Sequence, residues 1–341
     1  MTSARAPLSL AIQSGRADDM RAEIMVRVTV NACDGGGRPH LAGTCVGPRR
    51  GRDMTLPTTV KLVDVGGDHG RSDVGQAWGR AVFTEPAYWT PELPNLYRLE
   101  ASVHDGDRPV AVCDRMIGLR RLGVRGRSLW LEGRRWVPRG VRILPTGFEP
   151  KLLRSLAAAA VMDDPCDAIC EAADREGVAI IARLAGADGR MLTFDRAAER
   201  ISAWAVHPSV VLAMVPGTAA GEEAKAIVAA VKPTKGTMLV GLEVDGTQAP
   251  DAVPPELFSL VDCIMLDLPG DRLPHEGWRS GGPWEVGKPL LAQRTVTDGS
   301  TAEHRLECDR LQGALAAWGI AGGAAQLPWD WAGYCVVSRA G

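Results

Sequence analysis

Acidic side chains stand near the predicted ends of strands in the C-terminal two thirds of the chain. Asp163, Asp245 and Asp267 each close a short apolar run that is typical of a buried β-strand. Two carboxylates held about 5–10 Å apart can act as an acid and a base, or as a nucleophile and an acid/base, in hydrolysis. Asp267 is the strongest single candidate for such a role.

Four further carboxylates follow predicted strands: Asp164, Asp188, Glu222 and Glu223. The two glutamates lie in the first turn of a predicted helix, where the helix dipole favours negative charge. The aspartates suit loop solvation or capping. A relocated acid/base pair among these carboxylates is the alternative, and the sequence leaves both interpretations open.

Three arginines end predicted strands: Arg142 ends strand one, Arg183 strand three and Arg294 strand seven. Guanidinium pairs bidentately with carboxylate or sulfate, so arginines that converge on one cavity predict an anionic ligand. Alternatively, they pair internally with the three aspartates at the strand ends and close the cavity, because unpaired cations would repel one another.

Composition excludes several classes of protein. The 341 residues are 45% hydrophobic and 23% charged, which indicates a globular chain of about two domains. No apolar run approaches the roughly 18 residues of a membrane helix, and the N-terminus lacks the apolar region of a signal peptide, so we expect a cytoplasmic protein. The net charge of −2 gives no general attraction to nucleic acid. No motif for a zinc protease, serine hydrolase or P-loop is present.

The eight cysteines show no CxxC spacing. Cys166 and Cys170 would share a helix face, but no second pair stands at ligand spacing, so we expect reduced thiols and no metal site. No cofactor is expected either.

The texture of the sequence changes from Gly140 onward, and we place the domain boundary at 127/128. Short β-type runs separated by Gly- and Pro-rich breaks predict an immunoglobulin-like β-sandwich over residues 22–127, after an N-terminal tail over 1–21. Residues 128–341 alternate apolar strands with alanine-rich helices and predict a small (β/α)8 TIM barrel. A doubly wound open sheet is the alternative, but it lacks a glycine-rich turn after its first strand. The eight predicted barrel strands are 140–144, 158–162, 177–184, 210–215, 237–244, 262–268, 289–295 and 319–327.

Several stretches of the chain resemble glycoside hydrolase family 2, the β-galactosidase, β-glucuronidase and β-mannosidase group, and they occur in the order typical of that family. The resemblance runs from about residue 85 to 331, and its best segments are 89–97, 117–120, 129–133, 167–177, 207–210 and 288–291. It implies an immunoglobulin-like domain, a TIM barrel and hydrolysis by two glutamates. It also implies that the family's N-terminal jelly-roll domain is missing, which would make the chain a truncated member.

The positions that the resemblance assigns to catalysis are degenerate. An Asn-Glu pair is expected after strand four, where the chain has Gly217 and Thr218, and the nucleophile is expected at Arg294, or at Gln293 if the register slips by one. The chain has only two asparagines, both before residue 128, so the barrel contains no Asn-Glu pair. Arginine stays protonated and cannot act as a nucleophile.

The resemblance also suggests a binding site. Trp329, at the end of predicted strand eight, resembles the aromatic floor on which the family stacks a sugar ring. Together with Asp267 and the three arginines it would bind a carbohydrate, anionic if the arginines are free. The sequence therefore predicts a family-2-like pseudoenzyme with a carbohydrate-binding, protein-interaction or structural role. An active glycosidase with relocated carboxylates is the alternative, and the sequence does not indicate an oligomeric state.

Overall fold

The computed structural model describes residues 8–30, 39–51, 56–66, 76–186, 188–217, 221–231, 238–280, 287–297, 299–321 and 331–338. They form an antiparallel β domain, a small connecting sheet and a closed parallel barrel.

The β domain contains seven antiparallel strands in the order β1-β2-β5-β4-β3-β6-β7. Strands β4 and β5 pair only at Val63–Arg80 and Asp64–Gly79. The sheet therefore curls at this point, and its two halves close over a shared core. Alternate residues of β5 are buried, as expected for strands with one face on a core. The predicted immunoglobulin-like architecture is confirmed. The strands are β1 (Leu8–Ala17), β2 (Arg21–Val30), β3 (His40–Arg49), β4 (Thr58–Asp64), β5 (Gln76–Thr84), β6 (Leu96–Asp105) and β7 (Arg108–Ile117).

Strand β1 corrects the predicted N-terminal tail. Leu8–Ala17 pairs antiparallel with β2, with Ile12 opposite Val26. Ile12 is buried in the core of the β domain. An apolar stretch of five residues is sufficient for an edge strand, which buries only alternate side chains.

A three-stranded sheet connects the β domain to the barrel. It consists of β8 (Leu122–Arg125), β9 (Ser128–Leu131) and β10 (Arg134–Trp136). Its two hairpin turns place Gly126 and Gly133 at positive φ, a conformation that glycine adopts without strain. The predicted boundary at 127/128 falls inside the first of these hairpins, so the sheet spans it.

The C-terminal part is a closed barrel of eight parallel strands, as predicted. Its strands are β11 (Arg139–Arg142), β12 (Ala159–Asp163), β13 (Ile180–Arg183), β14 (Val210–Val215), β15 (Leu239–Asp245), β16 (Cys263–Pro269), β17 (Leu290–Val296) and β18 (Gly333–Ser338). The α-helices among the described residues are α1 (Pro150–Ser155), α2 (Asp167–Glu176), α3 (Phe194–Trp204), α4 (Gly221–Val231), α5 (Pro255–Leu260), α6 (Gly277–Ser280) and α7 (Thr301–Ala321).

Strand alternation divides the barrel core into two layers. Val161, Ile181, Met265 and Leu291 belong to the cluster inside the barrel, whereas their neighbours along each strand pack outward against the helices. Both faces of every strand are therefore covered, which explains why the strands are apolar throughout. This alternation also decides which side chains at the strand ends point into the barrel.

The last predicted strand is corrected. Residues 319–321 belong to α7, and the eighth strand is Gly333–Ser338. Helix α7 begins with a capping box, in which Ser300 N donates to Glu303 Oε2 (2.7 Å) and Glu303 N donates to Ser300 Oγ (3.3 Å). Its buried positions at Leu311, Leu315 and Trp318 keep helical spacing up to this point, so the helix continues where a strand was predicted. No helix in the described part of the chain is long and apolar enough to cross a membrane.

Candidate functional site

The carboxyl ends of the eight parallel strands form one face of the barrel, here called the barrel mouth. In TIM barrels the chemistry is built on this face. Asp163 and Arg183 end β12 and β13 and face each other in adjacent strands. Asp245, Asp267 and Gln293 form a row across β15, β16 and β17. Several of the predicted site residues are therefore brought together.

An ion-pair ladder of Arg142, Asp163, Arg183 and Glu243 crosses the barrel mouth. Arg183 Nε and Nη2 donate to Glu243 Oε1 and Oε2 (2.5 and 2.7 Å), and its Nη1 donates to Asp163 Oδ1 (2.7 Å). Arg142 Nη2 donates to Asp163 Oδ2. Two guanidinium groups thus balance two carboxylates, and all four carboxylate oxygens accept a hydrogen bond. Of the two predicted outcomes for these arginines, Arg142 and Arg183 follow internal pairing.

The ladder is largely removed from water. Glu243 is 5% exposed and the Arg183 side chain 11%. Burial lowers the pKa of Arg183, but the hydrogen bonds and charges of Glu243 and Asp163 outweigh it and raise that pKa above its ordinary value. The guanidinium therefore remains charged at any physiological pH.

Asp267 lies beside the ladder without an ion pair to any described residue. Its Oδ1 accepts a hydrogen bond from Gln293 Nε2 (3.3 Å). Burial raises the pKa of Asp267, and the nearby charge of Asp245 adds to this rise, while Gln293, Arg183 and Thr295 oppose it. A carboxyl group with a raised pKa at the mouth of a barrel is a typical candidate for acid/base chemistry or ligand binding.

Asp245, the outermost residue of the row, is held by its own turn. Hydrogen bonds from Thr247 lower the pKa of Asp245, burial opposes them, and Gln248 and the charge of Arg272 also contribute to the lowering. The bonds come from Thr247 N and Oγ1 (2.9 and 2.6 Å) and from Gln248 Nε2 (3.0 Å).

Arg294 does not join the barrel mouth, which corrects its predicted role. Its neighbours Leu290 and Ala292 lie in the outer layer and Leu291 in the inner one, so alternation directs Arg294 outward. Its Nη1 donates to Glu307 Oε1 of α7 (3.1 Å). The side chain of Gln293 points into the barrel from β17. This is the register that the sequence left open, in which Gln293 and not Arg294 stands at the expected nucleophile position.

Thr218 and Trp329, two further predicted positions, lie outside the described residues. Trp329 precedes β18, whereas the sequence analysis placed it at the end of strand eight. Glu222 and Glu223 lie in the first turn of α4, as predicted, and Glu222 pairs with Lys225 on the same helix. Asp188 accepts from the backbone of Arg190 in a turn.

Sequence reasoning missed Glu243, the carboxylate that makes two bonds to Arg183. A signal was present, because Glu243 is the only charged residue within the run Leu239–Val244, at a position of the same parity as Asp245. Asp164 was expected in a loop, but it pairs with Arg196 and Arg200 of α3. Among the described residues no group of three or more His, Cys, Asp or Glu side chains is arranged to hold a metal ion.

Comparison with known proteins agrees with this architecture. Residues 49–120 match the sequence profile of "Glycosyl hydrolases family 2". A β-galactosidase of Leuconostoc mesenteroides is 31% identical over 124 residues, which are 36% of this chain and 11% of that protein. The resemblance to glycosyl hydrolase family 2 is confirmed.

Solved structures of a glycosyl hydrolase family 2 member and of two β-glucuronidases share the fold of nearly the whole chain. A glycosyl hydrolase family 2 member from Bacteroides cellulosilyticus has a TM-score of 0.65 at 14% identity, and the matched region covers 97% of this chain and 43% of that protein. A β-glucuronidase of Bifidobacterium dentium has a TM-score of 0.59 at 16% identity, with coverages of 97% and 60%. A β-glucuronidase of Ruminococcus gnavus has a TM-score of 0.62 at 13% identity, with coverages of 97% and 61%. The chain thus spans between two fifths and about three fifths of these structures.

Proposed function

We propose that this chain is a carbohydrate-binding relative of family 2 whose barrel does not hydrolyse glycosides. The observation that carries the proposal is the ion-pair ladder at the barrel mouth. A retaining glycosidase needs one carboxylate free to attack the sugar and a second free to exchange protons. In the ladder each oxygen of Asp163 and Glu243 already accepts a hydrogen bond from a guanidinium.

The residue types at the expected catalytic positions support the same proposal. Gly217 and Thr218 stand where an Asn-Glu pair is expected, and Gln293 stands inward on β17 where a nucleophile is expected. An amide oxygen carries no charge with which to stabilise a positively charged sugar. Losing either catalytic group of such a pair usually lowers kcat by several powers of ten.

The alternative function is hydrolysis with Asp267 as a relocated acid. Its raised pKa suits a general acid, because a proton is then retained nearer to neutral pH. It would still require a second carboxylate as a base or nucleophile. Asp245 is the candidate, although three hydrogen bonds hold it in its own turn.

The experiment that tests the proposal is turnover of aryl β-galactoside, β-glucuronide, β-mannoside and β-glucoside by purified protein. We expect no release of the chromophore above the rate in buffer. Asp267→Asn serves as the matched control, because it removes the candidate acid without changing the shape of the side chain. Turnover that survives exhaustive purification and disappears in Asp267→Asn would overturn the proposal in favour of a relocated active site.

A further inference from the structure

The charge at the barrel mouth is unevenly distributed. The ladder is electrically balanced, and Arg294 points away from the mouth to Glu307. Asp245 and Asp267, on adjacent strands, bond only to neutral groups and form no ion pair with a described residue. The charge of Arg272 acts on Asp245 without an ion pair. Among the described residues, the β15–β17 side of the mouth therefore keeps an uncompensated negative charge at Asp267, whereas unpaired arginines would have made the mouth cationic.

A buried acceptor without a partner lies on the same side. Gln293 is 4% exposed, and its Oε1 has no hydrogen-bond partner. The orientation of the amide is fixed by Asp267, whose carboxylate accepts from Nε2 and so leaves Oε1 as the free acceptor. A buried polar atom without a partner is destabilising, so a ligand that donates a hydrogen bond here would remove that cost.

These two observations select the chemistry of the ligand. An anion would be repelled by the two aspartates, and a neutral hydroxyl would leave the charge of Asp267 without a counter-ion in a site of low dielectric. An ammonium group is a compact cation with three donors and no acceptor. It can donate to Asp267 and to Gln293 Oε1 together, and no described cation competes by pairing with Asp267.

We propose that the side of the barrel mouth formed by Asp245, Asp267 and Gln293 binds a protonated amine, carried by a sugar with a free 2-amino group. The choice of a sugar rests on the proposed carbohydrate-binding function, whereas the choice of an amine rests on the charge and the free acceptor. Asp267 and Gln293 contact the ammonium, and Asp245 contributes its charge from the rim.

Calorimetric titration with three matched β-1,4-linked tetrasaccharides tests this proposal. They are made of glucosamine, N-acetylglucosamine and glucose, and the titrations are run at a pH where the free amine is protonated. We expect the glucosamine tetramer to bind at least about tenfold more tightly than the other two, which corresponds to about 1.4 kcal/mol. We expect this preference to fall below about threefold in Asp267→Asn and to remain in Glu222→Gln, which removes an exposed carboxylate of α4.

The outcomes separate this inference from the proposed function. Equal binding of the three tetramers, or a preference that survives in Asp267→Asn, would overturn the amine site and leave carbohydrate binding in place. Binding of 1,5-diaminopentane, weakened in Asp267→Asn, without binding of any tetramer would support the amine site and overturn the carbohydrate-binding function. Failure of all four probes to bind would overturn both.

Discussion

Arg183 is the residue that holds the barrel mouth together, because it binds carboxylates from two other strands. Its fork of donors contacts both oxygens of Glu243 and one of Asp163. Only arginine offers several donors in this fixed planar arrangement. Removing one partner of a buried ion pair leaves the opposite charge without compensation, which usually costs more than the pair itself contributes.

We expect Arg183→Met to lower the free energy of unfolding by about 3–5 kcal/mol, because Glu243 and one oxygen of Asp163 lose their donors. Glu243→Met in the same chain should recover most of this loss, since it removes the carboxylate left unpaired. Urea denaturation of both variants and the parent measures the effect. A double variant no more stable than Arg183→Met would contradict this account of the ladder.

Asp267 is a residue at which stability and binding are expected to conflict. Its native-state pKa is raised, so the folded protein retains this proton to a higher pH than the unfolded chain does. At a pH below the ordinary pKa of aspartate the group is protonated in both states, and its ionisation does not lower the free energy of unfolding. As pH rises through the native-state pKa, the ionised group lowers the free energy of unfolding.

We accordingly expect Asp267→Asn to raise the free energy of unfolding at neutral pH by up to about 1 kcal/mol, although it weakens amine binding. The gain should vanish at a pH below the ordinary pKa of aspartate, where both carboxyl and amide are neutral. Urea denaturation at the two pH values measures it. A gain of equal size at both would show that packing, and not charge, is responsible.

At the scale of the element, two consecutive residues of β17 have different roles, one at the barrel mouth and one against a helix. Gln293 faces the barrel mouth, and Arg294 faces α7, where its side chain is 7% exposed and pairs with Glu307. Successive side chains of a strand point to opposite faces, so neighbours in sequence belong to different surroundings.

We expect Arg294→Ala to destabilise the protein by about 2–4 kcal/mol, through lost packing and the loss of one partner of Glu307, without changing ligand affinity at the mouth. Gln293→Ala should show the reverse, with a modest change in stability and a loss of affinity for the glucosamine tetramer. Thermal denaturation and calorimetric titration of the two variants test this separation. Loss of affinity in Arg294→Ala would indicate that the guanidinium reaches the mouth.

At the scale of the whole molecule, a buried polar interface joins the β domain to the barrel. Arg120 Nη1 donates to the carbonyl oxygens of Pro208 and Val210 (2.5 and 2.7 Å), and Trp89 Nε1 donates to that of Asp174 (2.9 Å). Burial lowers the pKa of Arg120 to about 10, and the charge of Asp174 opposes this shift.

The same interface orients the imidazole of His207. Its Nδ1 lies 2.7 Å from Asp174 Oδ2 and its Nε2 lies 2.7 Å from Arg115 Nη2. Because guanidinium can only donate, Nε2 accepts from Arg115, and Nδ1 is left to donate to Asp174. These contacts tie the turn at His207 to β7 of the β domain and to α2 of the barrel.

This interface should make the two domains unfold together. We expect Arg120→Met to lower stability by about 3 kcal/mol, because two buried carbonyl groups lose their donor, and to split one unfolding transition into two. Arg121→Met is the matched control, since Arg121 pairs with Asp19 and Glu132 and not with the barrel. Differential scanning calorimetry measures both. A single unfolding transition in Arg120→Met would show that other contacts couple the unfolding of the two domains.

The sequence by itself determined the fold class and the positions of most barrel strands, because periods of two and 3.6 residues and helix caps are local properties. Gly177, which ends α2, has a φ of 78°, and its absent Cβ would lie 2.2 Å from Pro91 O in the other domain. The eighth strand was misplaced because an alanine- and glycine-rich run has no distinct period.

Tertiary structure alone decided the character of the site. Glu243 on β15 reaches Arg183 on β13 past one intervening strand, and a shift of one residue along β17 exchanges Gln293 for Arg294 at the mouth. The charge at the mouth therefore depends on strand register and long-range pairing, which no local pattern of residues encodes.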